Sequence, residues 1–270
     1  MILLYNIKVM YISEMNKYDC IEFIQRYHYS KVMPKLTKHY LGLFKDNQLV
    51  GTLTLGWGTQ PLQTINKLFP GLTTENYYEI GKMCIHDDMP KNTGSQFIAK
   101  VKKWMKENTE KQLLYTLADG IVGKVGYVYQ ASNFYYGGFF WTPVYMGADG
   151  EKIHPRTSKP LLVENAKLVG KKKLFWLTPE FMELKGIKKI QGKMFRYIMP
   201  LNKDMKKVVR RAGWNFNYPK NNDLEWKEFV SKGKYIKMKE MPKFALDVVN
   251  LNYRNVHAHK KSASIEDFFG

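Results

Sequence analysis

The sequence has little cysteine: Cys20 and Cys84 are the two thiols among its 270 residues. Their number and their separation exclude a disulfide framework and a zinc site built from several cysteines. A chain of this kind is typical of a reducing compartment, and we predict that the protein is cytoplasmic.

Long apolar runs are also missing. The apolar start at residues 1–4 is too short for a signal peptide, and no window approaches the length that spans a bilayer, so we expect no membrane partner. The sequence is nevertheless 44% hydrophobic and 14% aromatic. This content is ample for a packed core, and the bulk of the chain is predicted to fold.

Acidic residues are few: 24 Asp and Glu face 43 Lys and Arg, which gives a formal net charge of +19. Such a field favours polyanions, with nucleic acid first and an anionic membrane surface second. Much of the excess falls in residues 151–240, which hold 23 Lys and Arg and 9 Asp and Glu. We therefore predict that this segment is a basic extension that packs on the core and binds DNA.

Hydrophobic patterns before residue 150 alternate between strand and helix and predict an α/β fold. The expected strands are residues 5–13, 40–44, 49–55, 77–85, 113–117 and, beyond the core, 194–201. The first expected helix has Ile21, Ile24 and His28 on one face, and Ser13 or Asn16 is its predicted cap. Further helices are expected at residues 61–69, 95–106 and 127–132. A further hairpin is expected through residues 148–150. The pattern indicates a mixed sheet in a core of residues 1–150, followed by the extension and by a tail at residues 241–270.

Two segments carry side chains suited to proton transfer. Asp119 ends a predicted strand and Tyr129 lies on the next helix, while His28 and Tyr29 stand at the end of the first helix. A carboxylate or imidazole can take a proton, and a phenol can return one. Each residue also has a structural interpretation: His28 and Tyr129 as core side chains, and Asp119 as a turn former before Gly120.

The strand order and the turn-rich loop before the 95–106 helix resemble the GNAT (N-acetyltransferase) fold over about residues 5–150. The resemblance implies a mixed central sheet flanked by helices. In that fold, a tyrosine four residues before a Gly-Phe pair protonates the departing thiolate. Tyr129 stands four residues before Asn133-Phe134, so it matches that position with Asn in place of Gly.

The loop that binds pyrophosphate in GNAT proteins differs in this chain. The usual pattern is Gln/Arg-x-x-Gly-x-Gly/Ala, whereas residues 89–96 contain one glycine, Gly94. Backbone N–H groups at a helix N-terminus can still hold a phosphate. Thr93, Gly94 and Ser95 are therefore the candidate cofactor-binding residues. Acetyl-CoA is one possible donor, and the sequence does not identify the donor.

A narrower resemblance is to the phage Mu-type Mom family of DNA adenine-modification proteins, over about residues 22–211. The residues that carry it are Tyr27-His28-Tyr29-Ser30-Lys31, the hairpin at 40–55, Ala118-Asp119, the run at 128–134 and the strand at 195–201. The resemblance implies transfer of a carbamoyl- or acyl-type group to adenine N6 in phage DNA. This modification would hide the DNA from host restriction enzymes, in the host cytoplasm.

The proposed chemistry assigns a role to each catalytic candidate. Adenine N6 is a poor nucleophile whose proton must leave as the new bond forms, so Asp119 or His28 would accept it. Tyr129 would protonate the leaving group or orient the donor carbonyl, and Tyr29 would bond the base or the donor. The family resemblance also allows an iron ion, for which His28 and Asp119 are the possible ligands.

Double-stranded DNA is the expected partner, with the target adenine flipped out of the stack, because its N6 atom is engaged in base pairing. One or two aromatic rings would stack on it, from the set Trp57, Tyr135, Tyr136, Phe139, Phe140 and Trp141. The residues expected to contact nucleic acid are Lys31, Arg156, Lys159, Lys171, Lys172, Lys173, Arg210 and Arg211.

Two other functions fit the sequence. One is a CoA-dependent acyltransferase acting on a protein, a tRNA or a small amine, and the loop with one glycine argues against it. The other is a non-catalytic DNA-binding protein on a transferase fold. The set of His28, Tyr29, Asp119 and Tyr129 argues mildly against that second function, because binding alone does not need it.

Overall fold

The computed structural model of the protein describes residues 10–58, 61–155, 158–231 and 233–246, with the backbone alone at residues 62 and 63. Residues 5–9 of the first predicted strand, Arg156 and residues 247–270 of the predicted tail lie outside the described residues. The strands are β1 (Met10–Glu14), β2 (Thr37–Lys45), β3 (Gln48–Gly56), β4 (Tyr77–Ile85), β5 (Leu113–Asp119), β6 (Tyr135–Met146), β7 (Lys152–Ile153), β8 (Lys188–Pro200), β9 (Trp226–Ser231) and β10 (Lys234–Lys237). The helices are α1 (Lys17–Tyr27), α2 (Pro61–Leu68), α3 (Thr93–Asn108), α4 (Tyr127–Ala131), α5 (Lys159–Leu168), α6 (Pro179–Leu184) and α7 (Lys203–Arg211).

The described residues belong to two compact units. Unit 1 comprises residues up to 116, 127–137 and 197–217, and unit 2 comprises residues 117–126, 138–196 and those from 218 onward. The strands β5, β6 and β8 contribute residues to both units. The predicted division into a core of residues 1–150, an extension and a tail stays a prediction.

Unit 1 contains the mixed sheet that the sequence predicted. Strands β1 to β4 pair antiparallel in chain order, with Leu41 opposite Leu53 at the centre of the β2–β3 hairpin. Strand β5 then pairs parallel to β4, with Tyr78 opposite Leu114. A parallel neighbour needs a crossover connection, and α3 provides it. The order of elements and the mixed sheet confirm the predicted fold class.

Helices α1 and α3 lie on opposite faces of this sheet. Tyr40 of β2 packs with the α1 residues Cys20 and Phe23, whereas the neighbouring His39 contacts Trp104 of α3, with 5.0 Å between the ring centres. Successive strand residues point to opposite faces, so the two helices cover different sides. The predicted cap of α1 is confirmed at Asn16, whose side chain accepts a hydrogen bond of 2.8 Å from the Tyr18 amide.

Strand β4 carries a β-bulge at Gly81. Thr54 of β3 pairs with Lys82 and Leu55 pairs with Ile80, so Gly81 is the extra residue. The Lys82 amide donates to the Thr54 hydroxyl at 2.9 Å. A bulge bends its strand and leaves backbone groups outside the ladder, which is a common device beside functional sites. A Cβ atom at Gly81 would lie 2.7 Å from a ring carbon of Pro34, so glycine lets the segment before β2 approach the bulge.

Unit 2 contains the predicted hairpin through residues 148–150, which joins β6 to β7 with Tyr145 opposite Ile153. Strands β8, β9 and β10 pair antiparallel in that order. Tyr145, Ile153 and Leu161 pack with Leu177 and Phe181, so α5 and α6 share one core with the hairpin. The sequence did not predict α5, α6, α7, β9 or β10, and it placed the start of β8 six residues late, because frequent lysines interrupt the apolar period there.

Among the described residues, no helix has both the length and the apolar content that a membrane crossing requires.

The two cysteines are expected to resist alkylation in the native protein. Burial raises the pKa of the Cys20 thiol to about 12 and that of Cys84 to about 11, so the reactive thiolate fractions at pH 8 are about 10⁻⁴ and 10⁻³. Iodoacetamide labelling followed by mass spectrometry should detect little product in the native protein and two labels after unfolding in guanidinium. Stoichiometric labelling of the native protein within minutes at pH 8 would disprove this burial.

Candidate active site

Tyr129 of α4 is a buried phenol, 9% exposed, at the centre of a polar cluster in unit 1. Its ring lies 5.4 Å from that of Phe134 and 5.6 Å from that of Tyr197. Burial raises the pKa of Tyr129 above its ordinary value, the nearby charge of Glu79 raises it further, and a hydrogen bond with Thr116 partly opposes this rise. The phenol therefore holds its proton at neutral pH, as a proton donor must.

Glu79 of β4 is the carboxylate of this cluster, and the sequence analysis missed it. Its negative charge raises the pKa of Tyr77 as well as that of Tyr129, although burial is the larger cause in both. A Cβ atom at Gly58 would lie 2.3 Å from Glu79 Oε2, so the absence of a side chain there makes room for the carboxylate. The sequence did contain a feature that could have identified Glu79. An acidic residue is rare in a strand predicted to be buried on both faces, unless that residue has partners. We call Tyr77, Glu79, Thr116 and Tyr129 the Glu79 cluster.

Thr116 connects the Glu79 cluster to the bulge of β4. Its hydroxyl is 1% exposed and donates a long hydrogen bond of 3.5 Å to the Ile80 carbonyl, next to Gly81. The same hydroxyl hydrogen-bonds Tyr129. A proton donor, a carboxylate and an irregular strand thus meet at one place in unit 1, which is an arrangement suited to acyl transfer.

His28 ends α1, as the sequence predicted, and its amide donates to the Ile24 carbonyl at 2.9 Å. The imidazole is 9% exposed and stacks on the Tyr29 ring at 4.3 Å. The Ser30 amide donates to His28 Nδ1 at 2.9 Å. The same Nδ1 atom also lies 3.2 Å from the Ser30 carbonyl oxygen, so the backbone of Ser30 holds this edge of the ring in place.

The turn at residues 28–30 is tied to the bulge of β4. Lys82, which follows Gly81, donates from Nζ to the Ser30 carbonyl at 3.1 Å. The turn that carries the predicted His28 and Tyr29 is therefore anchored to the side chain of the residue that follows the bulge. The neighbouring Lys31, a predicted DNA contact, is half-buried and donates to the Arg26 carbonyl at 3.2 Å.

Asp119, the fourth catalytic candidate, ends β5 in unit 2. Its carboxylate accepts from the Ile121 amide at 3.1 Å and forms an ion pair with Lys152. The two side chains of the pair are 14% and 15% exposed. Trp226 Nε1 donates to the carbonyls of Gly120 and Ile121 at 3.0 Å each, which holds the same turn. The turn-forming role considered for Asp119 is thus present, and its catalytic role stays a prediction.

The Asp119–Lys152 pair is expected to contribute strongly to stability. Asp119→Ala should lower the free energy of unfolding by about 3 kcal/mol, because it removes one partner of a nearly buried ion pair. Asp119→Asn should cost less, since an amide oxygen can still accept from the Ile121 amide. Chemical denaturation measures both changes, with Asp204→Ala as a control for an exposed pair that is worth under about 1 kcal/mol. Equal stability of the Ala variant and the wild type would refute this role.

The N-terminus of α3 contains the three candidate cofactor residues. Thr93 is 1% exposed, and its hydroxyl has no hydrogen-bond partner among the described residues. The Asn92 side chain makes no capping hydrogen bond, and Ser95 donates to the Asn92 carbonyl at 2.9 Å. A buried hydroxyl without a partner at a helix N-terminus fits an anionic group of a donor molecule. Gly94 serves packing, because a Cβ atom there would lie 2.7 Å from Val128 of α4.

The family resemblance allowed an iron ion, with His28 and Asp119 as possible ligands. No group of three or more His, Cys, Asp and Glu side chains suited to a metal occurs in the part of the chain that the structure describes. Iron ligation by His28 and Asp119 stays a prediction.

Several predicted nucleic-acid contacts lie on exposed surface. Arg210 and Arg211 belong to the last turn of α7 in unit 1, where Lys203, Lys206 and Lys207 are also exposed. In unit 2, the exposed members of the predicted set are Lys159, Lys171, Lys172 and Lys173. Arg156 lies outside the described residues. Each unit therefore carries basic surface of its own.

The aromatic candidates for base stacking differ in exposure. Tyr135 is buried and packs on Phe216 at 4.3 Å, so it belongs to the core of unit 1. Phe139 is 41% exposed, and Lys193 Nζ lies 4.7 Å from its ring centre. Lys227 Nζ lies 3.9 Å from the Trp141 ring centre. Phe139 and Trp141 each lie beside a lysine, so a base could stack on the ring while the lysine contacts the phosphate. The buried Tyr135 is less suited to this role.

A groove of about 710 Å³ lies elsewhere in unit 1, between α1, the β2–β3 turn and the loop after β4. Its lining includes Phe23, Arg26, Tyr27 and His86, and none of the four catalytic candidates.

A model of the Mom protein family matches residues 9–220 of the chain. The methylcarbamoylase Mom of Escherichia phage Mu is 35% identical to the chain over 139 residues, which are 50% of this chain and 55% of that protein. The chain thus matches about half the length of this curated relative.

Solved structures with a similar fold include acetyltransferases. An N-acetyltransferase from Staphylococcus aureus Mu50 matches with 11% identity and a TM-score of 0.37, over 72% of this chain and 98% of that one. A GNAT family acetyltransferase from Elizabethkingia anophelis with acetyl-CoA bound matches with 14% identity and a TM-score of 0.34, over 71% and 97%. At these identities and TM-scores, neither structure bears on the activity or the ligands of this chain.

Proposed function

Because the chain belongs to the Mom protein family, as its motifs predicted, we propose that it is a phage DNA-modification transferase. The proposed reaction joins a carbamoyl- or acyl-type group to N6 of adenine in double-stranded DNA, which protects the DNA from host restriction. The observation that carries the proposal is the family match, which spans the elements of the Glu79 cluster and the turn at residues 28–30. The identity to a methylcarbamoylase over half its length supports a group of this type.

The charge of the protein supports DNA as the substrate. The net charge of +19 favours a polyanion, and each unit exposes lysines or arginines at α7 or at residues 171–173. An enzyme acting on a small amine would have no need of basic surface on both units.

The proposed chemistry needs one proton acceptor and one proton donor. Adenine N6 attacks the carbonyl carbon of the donor, so that an N–C bond forms while the bond from that carbon to the leaving group breaks. The N6 proton passes to a base, for which His28, Asp119 and now Glu79 are the candidates. Tyr129 gives its proton to the leaving group. Tyr29 would hydrogen-bond the adenine base or the donor.

The donor would bind at the N-terminus of α3. Thr93 and the first backbone N–H groups of the helix would hold an anionic part of it, with Ser95 at the edge. A bound acyl donor such as acetyl-CoA supplies an activated carbonyl carbon and a leaving group, and this chain would supply the protons and the orientation. The short distance from Gly94 to Val128 places α4, and with it Tyr129, against α3.

Mass spectrometry of nucleosides digested from DNA tests the proposal. DNA from cells that express the chain should contain a deoxyadenosine of increased mass, and much less of it should form in cells that express the Tyr129→Phe variant. A mass increase on a protein, a tRNA or a small amine, with unchanged DNA, would instead support the acyltransferase alternative. DNA binding without any new mass in these fractions would support the non-catalytic alternative.

A further inference from the structure

The loop between α5 and α6 exposes two adjacent aromatic side chains. Phe175 is 69% exposed and Trp176 is 60% exposed, and these are the most exposed aromatic side chains in the described part of the chain. Their ring centres lie 6.4 Å apart. We call residues 171–176 the aromatic loop. Burying such rings is favourable in water, so their exposure indicates a partner that covers them.

The backbone at the C-terminal end of the aromatic loop is fixed. Asn165 of α5 is fully buried, donates to the Trp176 carbonyl at 3.4 Å, and accepts from the Thr178 hydroxyl at 3.0 Å. The next residue, Leu177, is 3% exposed, and its amide donates to the Tyr145 hydroxyl at 3.2 Å. These anchors hold the chain directly beside the two exposed rings.

Hydrogen bonds also fix the N-terminal end of the aromatic loop. The Lys171 amide donates to the Ala166 carbonyl at 2.8 Å, and the Gly170 amide donates to the Lys167 carbonyl at 3.2 Å. Gly170 has a φ of +65°, the left-handed conformation that commonly ends a helix. The aromatic loop is therefore attached firmly at both ends, which lowers the entropy cost of presenting Phe175 and Trp176 to a partner.

Three lysines precede the two rings in the chain, and one of them contacts a ring. Lys171, Lys172 and Lys173 are exposed, and Lys173 Nζ lies 4.8 Å from the Phe175 ring centre. Three ammonium groups within a few residues of two planar rings match the chemistry of a nucleic acid, where phosphates lie beside the faces of stacked bases.

We propose that the aromatic loop is a wedge, which inserts Phe175 or Trp176 between the base pairs of duplex DNA while Lys171 to Lys173 hold the adjacent phosphates. This inference rests on the proposed function, because a target adenine must leave the stack before its N6 atom can react. An inserted ring replaces the stacking that the departing base loses, and apolar side chains are known to unstack base steps in this way. The partner is duplex DNA, and Phe175 and Trp176 act on the base stack rather than on the reacting atoms.

Fluorescence of 2-aminopurine tests the wedge without depending on the chemistry. In a short duplex in which 2-aminopurine replaces the adenines, the wild-type protein should raise the fluorescence, because unstacking relieves quenching. The double variant Phe175→Ala/Trp176→Ala should lose most of this rise and bind the duplex about 5- to 150-fold more weakly, the range that corresponds to stacking on one base. Leu184→Ala, another exposed apolar side chain of unit 2 at 66%, is the matched control and should behave as wild type.

Modification assays separate this inference from the proposed function. The double variant should still modify adenine in single-stranded DNA or opposite an abasic position, where no wedge is needed, and its melting temperature should equal that of the wild type. A wild-type protein that unstacks 2-aminopurine but forms no new nucleoside contradicts the proposed function and leaves the wedge intact. An unchanged fluorescence rise in the double variant, or no rise with the wild type, overturns the wedge. The wedge is also overturned if the double variant binds DNA as the wild type does but no longer binds phosphatidylserine vesicles. The same holds if it binds DNA normally but no longer forms a dimer in sedimentation.

Discussion

Tyr129→Phe is expected to reduce the rate of DNA modification by about 10² to 10⁴, the usual contribution of a positioned proton donor or acceptor. The variant removes one oxygen from a buried ring that packs on Phe134 and Tyr197. Nothing in that packing requires the hydroxyl apart from its bond with Thr116. DNA affinity should therefore stay near the wild-type value while single-turnover formation of the modified nucleoside slows.

The pH dependence of the same reaction gives a second measurement. Burial raises the pKa of Tyr129 above its ordinary value near 10, so the protonated, donating form persists up to and beyond pH 10. The rate should show no loss from ionisation of Tyr129 below that pH.

Tyr40→Phe is the matched control for this prediction. Burial also raises the pKa of Tyr40, but this phenol packs with α1 on the opposite face of the sheet from α3. Its removal should leave the modification rate unchanged. If Tyr129→Phe weakened DNA binding and activity to the same extent, or lowered the melting temperature enough to explain the loss, Tyr129 would be a structural residue.

DNA affinity is expected to fall by about 10³ to 10⁵ when salt rises from about 50 to 200 mM, if the protein makes about six to ten phosphate contacts. The physical reason is the release of counterions from the DNA by each lysine or arginine that neutralises a phosphate. Fluorescence anisotropy with labelled duplex DNA over a salt series gives the slope of log affinity against log salt.

Variants of α7 assign part of this slope to one helix. Lys206→Gln, Arg210→Gln and Arg211→Gln together should reduce the magnitude of the slope by about 0.9 for each phosphate that is no longer neutralised. Lys103→Gln on α3, an exposed lysine 3.8 Å from Glu107, should leave the slope unchanged. An affinity that hardly responds to salt would contradict the proposed binding through phosphates, and an unchanged slope in the triple variant would exclude α7 from the DNA surface.

The sequence predicted the helices, a cap and a turn correctly where these features depend on residues close together in the chain. Apolar spacing placed α1 and α3, and Asn16 was one of the two predicted caps of α1, where its side chain accepts from the amide two residues away. The two-residue turn at Asp46-Asn47, with φ values of 52° and 63°, follows from residues that tolerate the left-handed region. The position of His28 at a helix end also follows from local spacing.

Local sequence patterns could not predict contacts between residues that are far apart in the chain. Glu79 was missed because its proximity to Tyr129 arises only when β4, β5 and α4 pack together. The pairing of Asp119 with Lys152 joins residues 33 positions apart. The sequence analysis assigned no role to Asn165, which is fully buried and anchors the aromatic loop.

The amino-acid sequence by itself determined the α/β class, the basic character and the motifs of the family, because composition and short-range periodicity are properties of the chain alone. The tertiary structure decided which groups lie together: Glu79 and Thr116 with Tyr129, the Ser30 carbonyl with Lys82 beside the β4 bulge, and Asp119 with Lys152. These groupings depend on distances between residues far apart in the chain, and packing sets those distances.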